Sequence, residues 1–166
     1  MADVVDRATR SRMMAAIRGV DTKPELRLRS ALHRQGFRYR LHDRLLPGRP
    51  DLVLPRYRAA IFVHGCFWHR HEGCHWCTTP ASNSDFWSAK FAANVERDLR
   101  HRQELRQAGW RVATVWECAL RREPSAVLDE IVHWLRLPGE PTWESPVIRR
   151  RARLDPSGDA EEDGPV

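Results

Sequence analysis

No run of apolar residues approaches the roughly 18 to 20 that a membrane-spanning helix needs, so the sequence offers no membrane anchor. Its opening residues, MADVVDRATRSR, lack the apolar centre of a secretory signal. No internal repeat is visible, so no repeat architecture is expected. Cysteine is scarce, with four in 166 residues. They could make two disulfides, but in the cytoplasm that the missing signal implies, thiols stay reduced and metal ligation is the better use of them. A soluble cytoplasmic protein is expected, long enough to bury a sizeable core.

What is present points to a polyanion. The net charge is +6 although the last dozen residues carry Asp155, Asp159, Glu161, Glu162 and Asp163, so the rest of the chain is more basic than the whole. Nucleic acid is the natural partner for such a balance. An arginine-rich proteome would produce the same balance without that partner, so charge alone does not decide.

The stretch VHGCFWHRHEGCHWC, residues 63–77, holds three of the four cysteines and four of the eight histidines. Soft nitrogen and sulfur ligands at this density, interrupted by Phe67 and Trp68, suit neither an ordinary core strand nor an ordinary loop. Zinc takes four such ligands in a tetrahedron. Cys66, His71, Cys74 and Cys77 are the local candidates, and Cys118 is a distant one. Cys118 is preferred because a loop that carries Phe67 and Trp68 outward needs an anchor in the core, with Cys77 as the competing ligand.

The pattern around this stretch predicts a mixed α/β fold. Thr9 can cap a first helix carrying Met13, Met14 and Ile17 on one stripe. A second helix runs from Thr22 to Gly36, and Glu25 forms the back half of its capping box. Phe37, Tyr39 and Leu41 alternate with Arg38, Arg40 and His42 as in a half-buried strand. After the turn LLPGRP, Asp51 opens a short apolar strand ending at Leu54, and residues 59–64 form a third. A long helix spans about 85–107, with Phe91, Val95, Leu99 and Arg102 at helical spacing and Lys90, Asn94 and Arg97 on another face. Residues 110–116 form a buried strand that ends at Glu117 and Cys118, and a helix from Pro124 carries Val127, Leu128, Ile131, Trp134 and Leu135.

The expected architecture is thus a mixed four-stranded central sheet flanked by helices. Its last two strands are parallel through a right-handed crossover, and its first strands antiparallel. Residues 1–137 form the domain and 138–166 a flexible tail.

Asp51 at the mouth of one strand and His64 at the end of its neighbour fall near one sheet edge. A carboxylate there can hold a hard cation such as Mg²⁺, and His64 or His69 can take a proton from water. Together they describe a phosphodiester hydrolase with structural zinc. Trp110, Trp116 and Trp134 fit apolar faces, whereas Phe67, Trp68 and Trp87 are free to stack on bases or wedge between them. A non-catalytic zinc-dependent DNA-binding module is the alternative, though it has no use for Asp51 and His69 together. A zinc hydrolase would need an open zinc position, which four protein ligands exclude.

The runs LPGRPD ending at Asp51, IFVHGCFWH, FW at Phe86 and Trp87, NVERD from Asn94 and GWRVATVWEC ending at Cys118 closely resemble the very short patch repair (Vsr) mismatch endonucleases. The likeness extends in order from ATRSRMMAAI to about Arg121. It implies a restriction-endonuclease-like fold, a monomer, and nicking of double-stranded DNA 5′ to the thymine of a T:G mismatch left by 5-methylcytosine deamination. A cytosine-5 DNA methyltransferase would be the functional companion, with mismatch-repair proteins as candidate partners. By the same resemblance Asp51 binds Mg²⁺, His64 and His69 serve hydrolysis with His69 as general base, and Glu25 is an active-site acid. Zinc sits on Cys66, His71, Cys74 and Cys118. Phe67, Trp68 and Trp87 wedge beside the mismatch, Met14 enters from the minor groove, and Lys90 and Asn94 meet the mismatched bases.

Two departures stand out. Phe62, Val63 and His64 occupy the place where the wider nuclease superfamily has an acid and a lysine, so the Val63 main-chain carbonyl takes the second Mg²⁺ position. The spacing from His71 to Cys74 is one residue longer than the family's best-known pattern, with His75 and Cys77 added. This leaves Cys77 in competition with Cys118 or His71.

Overall fold

The computed structural model describes residues 19–147 together with Thr9 and Arg12. Its centre is a pair of six-residue strands, β3 (Ala59–His64) and β4 (Arg111–Trp116), which run parallel in the register Ala59↔Arg111 to His64↔Trp116. Both are buried along almost their whole length. Such strands need cover on both faces, and their near-continuous apolar character supplies it.

On one side of this pair lie β2 (Leu52–Leu54) and the two-residue edge strand β1 (Arg40–Leu41), joined as antiparallel neighbours. On the other side β5 (Thr142–Glu144) pairs parallel with β4. The sheet is therefore five-stranded in the order β1-β2-β3-β4-β5, one strand more than the four expected. The fifth falls within the segment expected to be a tail. Three residues between prolines are too short to show alternation, and the strand exists through bonds the sequence does not display. Ser145 N–H donates to the Thr114 carbonyl at 3.0 Å, Ser145 Oγ accepts from Trp116 N–H at 2.8 Å, and Trp116 Nε1 donates to Glu144 Oε1 at 2.5 Å. Residues 148–166 lie outside the described part of the chain.

Helices cover the two faces unequally. Helices α1 (Lys23–Arg34), α3 (Glu117–Arg122) and α4 (Pro124–Arg136) pack on one face. There Leu28, Leu32, Ile131 and Leu135 meet Leu52, Leu54, Ile61, Ala113 and Val115. Full burial of each large apolar side chain stabilises the fold by about 1.5 to 3 kcal/mol, which makes this the main core. Among the described residues the other face carries only α2 (Ser84–Gln107), whose Leu105 meets Ala60, Phe62 and Val112.

The long helix corrects one expectation. Of the predicted stripe Phe91, Val95, Leu99 and Arg102, Phe91 is buried but Leu99 is 54% exposed, and the buried residues of α2 are Trp87, Phe91 and Leu105. A helix of 24 residues is about 36 Å long, whereas a six-residue strand spans about 20 Å. The middle of α2 therefore crosses a polar cleft, and apolar contact is confined to its two ends. Gly109 closes α2 with φ +81°, and Arg58 caps its last carbonyls, donating to Ala108 and Gly109 at 3.0 and 3.1 Å.

The first strand also differs from its pattern. Phe37 is buried and Tyr39 half-buried, but Leu41 is 43% exposed on a strand reduced to two residues. His42 follows at once in the left-handed conformation, φ +48°, and turns the chain away. Trp116 and Trp134 are buried as expected, while Trp110 is half-buried.

Candidate active site

Alternation decides which side chains reach the cleft. Ile61 packs with the main core and Phe62 with the α2 face, so His64, two residues on from Phe62, emerges on the α2 side at the strand end. The residues just after β3 then divide between two clusters. His64 and His69 face the cleft, while Cys66 and His71 turn to the other side of the loop.

The second pair completes a four-donor group. One ligand atom from each of Cys66, His71, Cys74 and Cys118 lies within 4.8 Å of all the others, and all four residues are buried. His71 Nδ1 is 3.6 Å from Cys66 Sγ and 3.4 Å from Cys118 Sγ. Its ring stacks on Trp116 with centroids 4.0 Å apart. Two tight turns fold the loop round the centre: His71 N–H donates to the Cys66 carbonyl at 3.1 Å and Cys74 N–H to the His71 carbonyl at 3.2 Å. No disulfide joins the four cysteines. Burial pushes the Cys66 thiol far above its ordinary pKa against the pull of the Cys118 backbone, and the Cys118 side chain adds to the rise. Burial lowers that of His71, which keeps its imidazole neutral and able to ligate. Three buried sulfurs and a neutral imidazole with their ligand atoms all within 4.8 Å of one another offer the number and kind of soft donors that a tetrahedral ion takes, so the donor chemistry fits a metal ion. Cys77 is half-buried and packs beside the group without belonging to it.

The first pair builds the cleft. Asp51, immediately before β2, accepts the Val63 N–H at 2.7 Å through Oδ2. Burial pushes its carboxyl up to about 6, against the pull of the Val63 N–H, and the Glu25 charge adds to the rise. His64 and His69 stack face to face, with centroids 3.8 Å apart and planes 7° from parallel. Burial and the neighbouring His69 hold His64 well below the usual imidazole range. His69 Nδ1 lies 2.5 Å from Oδ2 of Asp98 on α2. Burial alone would raise Asp98, but the hydrogen bond and charge of His69, helped by His64 and Arg97, hold its carboxyl below the ordinary value. Arg49, Arg97 and Arg102 line the same cleft, giving it a basic rim. The turn carrying Arg49 approaches α2 closely: at Gly48, φ +72°, a Cβ would lie 2.7 Å from the His101 ring, so only glycine fits.

Glu25 does not line this cleft directly. It is 2% exposed and completes the capping box of α1, accepting the Thr22 N–H at 3.3 Å. Its other oxygen meets Arg29 at 3.2 Å and His42 Nε2 at 3.0 Å. Asp98 and His42 are the residues that sequence reasoning missed. Asp98 closes the NVERD run and follows Asn94 by four positions, which places it on the same helical face. His42 offered no signal beyond alternation in a strand.

The aromatic residues form a patch beside the cleft. Phe67 touches Trp68, Trp87 and Phe91 at centroid distances of 5.1, 5.8 and 5.1 Å. Trp87 is 9% exposed and forms the base of the patch, while Phe67 and Trp68 are half-buried and Phe86 is exposed. Lys90 Nζ lies over Trp68 at 5.4 Å, and Asn94 Nδ2 donates to the Trp68 carbonyl at 3.1 Å. Met14 lies outside the described residues.

A half-buried acid and two imidazoles under a basic rim are the equipment of a phosphodiester-cleaving enzyme, and the class that comparison supports is a DNA endonuclease. Residues 2–76 match the family model for DNA mismatch endonuclease Vsr. The chain is 50% identical over 139 residues to DNA mismatch endonuclease Vsr of Escherichia coli K12, covering 81% of this chain and 88% of that one. Identity to the type II nicking enzyme V.XorIIP of Xanthomonas oryzae is 48% over 120 residues, covering 72% and 88%. Against the type II nicking enzyme V.NmeAIP of Neisseria meningitidis it is 43% over 123 residues, covering 74% and 87%. The chain belongs to the Vsr family of DNA mismatch endonucleases. Among the described residues no helix is long and apolar enough to cross a membrane.

Proposed function

We infer that this endonuclease nicks double-stranded DNA 5′ to the thymine of a T:G mismatch, as left by deamination of 5-methylcytosine, and so begins very short patch repair. It acts in the cytoplasm as a monomer on a restriction-endonuclease-like fold. Its companion is a cytosine-5 DNA methyltransferase, and mismatch-repair proteins are its candidate partners.

The observation that carries this reading is the convergence of Asp51, His64, His69 and Asp98 at one sheet edge. Asp51 and the Val63 main-chain carbonyl would hold Mg²⁺, since a strand residue's N–H and C=O leave on the same side and the Val63 N–H already points at Asp51. The ion would supply charge neutralisation on the phosphate. His69 removes a proton from the attacking water, and Asp98 holds its ring and stabilises the imidazolium that results. His64, neutral through burial, supports that ring from behind without competing for charge.

The Cys66, His71, Cys74 and Cys118 group would hold Zn²⁺ in a structural role, since four protein donors are the set such a site uses. Phe67 and Trp68 wedge beside the mismatch on the base formed by Trp87, Met14 enters from the minor groove, and Lys90 and Asn94 meet the mismatched bases. Unstacking costs a few kcal/mol per step, and a rigid aromatic patch lowers the entropy lost on inserting it.

The test is a nicking assay on T:G duplexes with randomised flanks, with C:G duplexes beside them and Mg²⁺ present or withheld. Strand-specific, Mg²⁺-dependent nicking of T:G duplexes is expected. Intact T:G duplex in every sequence context would overturn the reading.

A further inference from the structure

His42 is the one side chain in contact with both Glu25 and Asp51 among the ion pairs of the described residues. Its ring is 14% exposed, with Nε2 3.0 Å from Glu25 Oε1 and Nδ1 3.7 Å from Asp51 Oδ1. Each carboxylate has its remaining oxygen engaged elsewhere. Glu25 Oε2 accepts the Thr22 N–H, and Asp51 Oδ2 accepts the Val63 N–H. Glu25 Oε1 faces the imidazole rather than the cleft, so besides the direct effect of its charge on Asp51 the side chain that joins the two acids is His42.

The backbone at His42 is held for the purpose. Its φ of +48° lies in the left-handed region, which costs a non-glycine residue about 1 kcal/mol or more. Two bonds maintain it: the His42 N–H donates to the Asp51 carbonyl at 3.4 Å, and Arg49 Nε donates to the His42 carbonyl at 3.3 Å. The second bond also ties the ring's position to the turn that delivers Asp51. A cation held by Asp21, Glu25 and His42 is the other use of this cluster. Arg29 already pairs with both Asp21 and Glu25, so a guanidinium charge stands where that ion would go.

We propose that His42 is a positioning residue that transmits the fixed orientation of Glu25 to Asp51, so that the Asp51 carboxylate is set for Mg²⁺ before the ion arrives. This rests on the reading of Asp51 as the Mg²⁺ ligand. It gives the buried acid Glu25 a role without direct contact with metal or substrate. Partners that orient a ligand typically change metal affinity by about 10- to 100-fold when removed.

The experiment titrates Mg²⁺ calorimetrically into the zinc-loaded full chain bound to a T:G duplex with an uncleavable phosphorothioate at the nick site. His42→Ala is expected to weaken Mg²⁺ affinity about tenfold. Its maximal nicking rate on the ordinary duplex at saturating Mg²⁺, and its metal-free DNA affinity, should stay near wild type. His42→Gln, whose amide offers two donors to the two carboxylates, should recover most of the loss. Glu25→Gln should weaken Mg²⁺ binding in the wild-type background but add little to His42→Ala. Wild-type Mg²⁺ affinity in His42→Ala, or an equal Glu25→Gln penalty with and without His42, would overturn the proposal. Asp51→Ala separates the two levels: unchanged Mg²⁺ affinity there removes the underlying reading as well, whereas its loss beside an unchanged His42→Ala overturns the His42 role alone.

Discussion

The two ligand clusters at this sheet edge are built to opposite plans. Around Cys66, His71, Cys74 and Cys118 every donor is buried and each faces the others. Around Asp51 the donors are spaced along an open cleft, with Asp51 18%, His69 24% and Asp98 12% exposed at the side chain. A closed set of four saturates an ion and leaves it inert, whereas an open set keeps positions for water and substrate. One short loop feeds both. His64 and His69 serve the cleft while Cys66 and His71 serve the closed group, two interleaved pairs at the same spacing. Rigidity on one side of the loop thus fixes the reactive side chains on the other.

The sharpest way to break this comparison is Asp51→Ala. It should lower T:G nicking by about 10³-fold or more, the scale of several kcal/mol of lost transition-state stabilisation. Bound zinc measured by mass spectrometry should stay at one ion per chain. Zinc loss in this variant would show that the two clusters are not separate.

Cys118→Ala probes the other side. Loss of a structural metal worth several kcal/mol should lower Tm by about 10 °C or more, with zinc lost from the protein, whereas Cys77→Ala should retain both zinc and Tm. Zinc lost from Cys77→Ala and kept in Cys118→Ala would reverse the assignment that the geometry favours.

Asp98→Asn should cost about 10²-fold in the maximal nicking rate, within the range of a positioned general base. Mg²⁺ affinity should be little changed, because Asp98 pairs with His69 and not with Asp51. Equal losses in rate and metal affinity would merge roles that the structure keeps apart.

The smallest effect expected is a pH dependence of the open site alone. With the folded Asp51 carboxyl raised to about 6, protons compete with Mg²⁺ below that pH, and affinity should fall up to tenfold per unit. The sign for metal-free stability is opposite to that of a salt-bridged acid. The contribution of Asp51 is fully present below its unfolded value of 3.8 and is lost as pH rises through about 6. Mg²⁺ should therefore raise Tm at pH 7.5 and much less at pH 5. An equal Mg²⁺ effect at both would place the ion elsewhere.

Legibility in the sequence followed the range of the interactions involved. The strand Ala59–His64 and the helix Pro124–Arg136 were readable because local apolar patterning produces them. The cluster of histidines and cysteines after β3 was visible as density, and family likeness assigned its members. Asp98 and His42 were not found, because each gains its role from a partner far off in sequence: His69 for Asp98, and Glu25 with Asp51 for His42. Strand β5 was missed because its pairing rests on backbone bonds and on Ser145 and Glu144 meeting Trp116.

By itself the sequence determined the class of fold, the donor types available and the strand ends at which they gather. Those follow from hydrophobic period and residue chemistry, both of which act over a few positions. Tertiary structure alone decided that Cys118 and not Cys77 joins the closed group, that Asp98 backs His69, and that His42 stands between Glu25 and Asp51. Parallel pairing of β3 with β4 sets the end of one strand beside the end of the other. Only that long-range register brings α3's cysteine to the loop after β3 and leaves α2 to close the cleft above it.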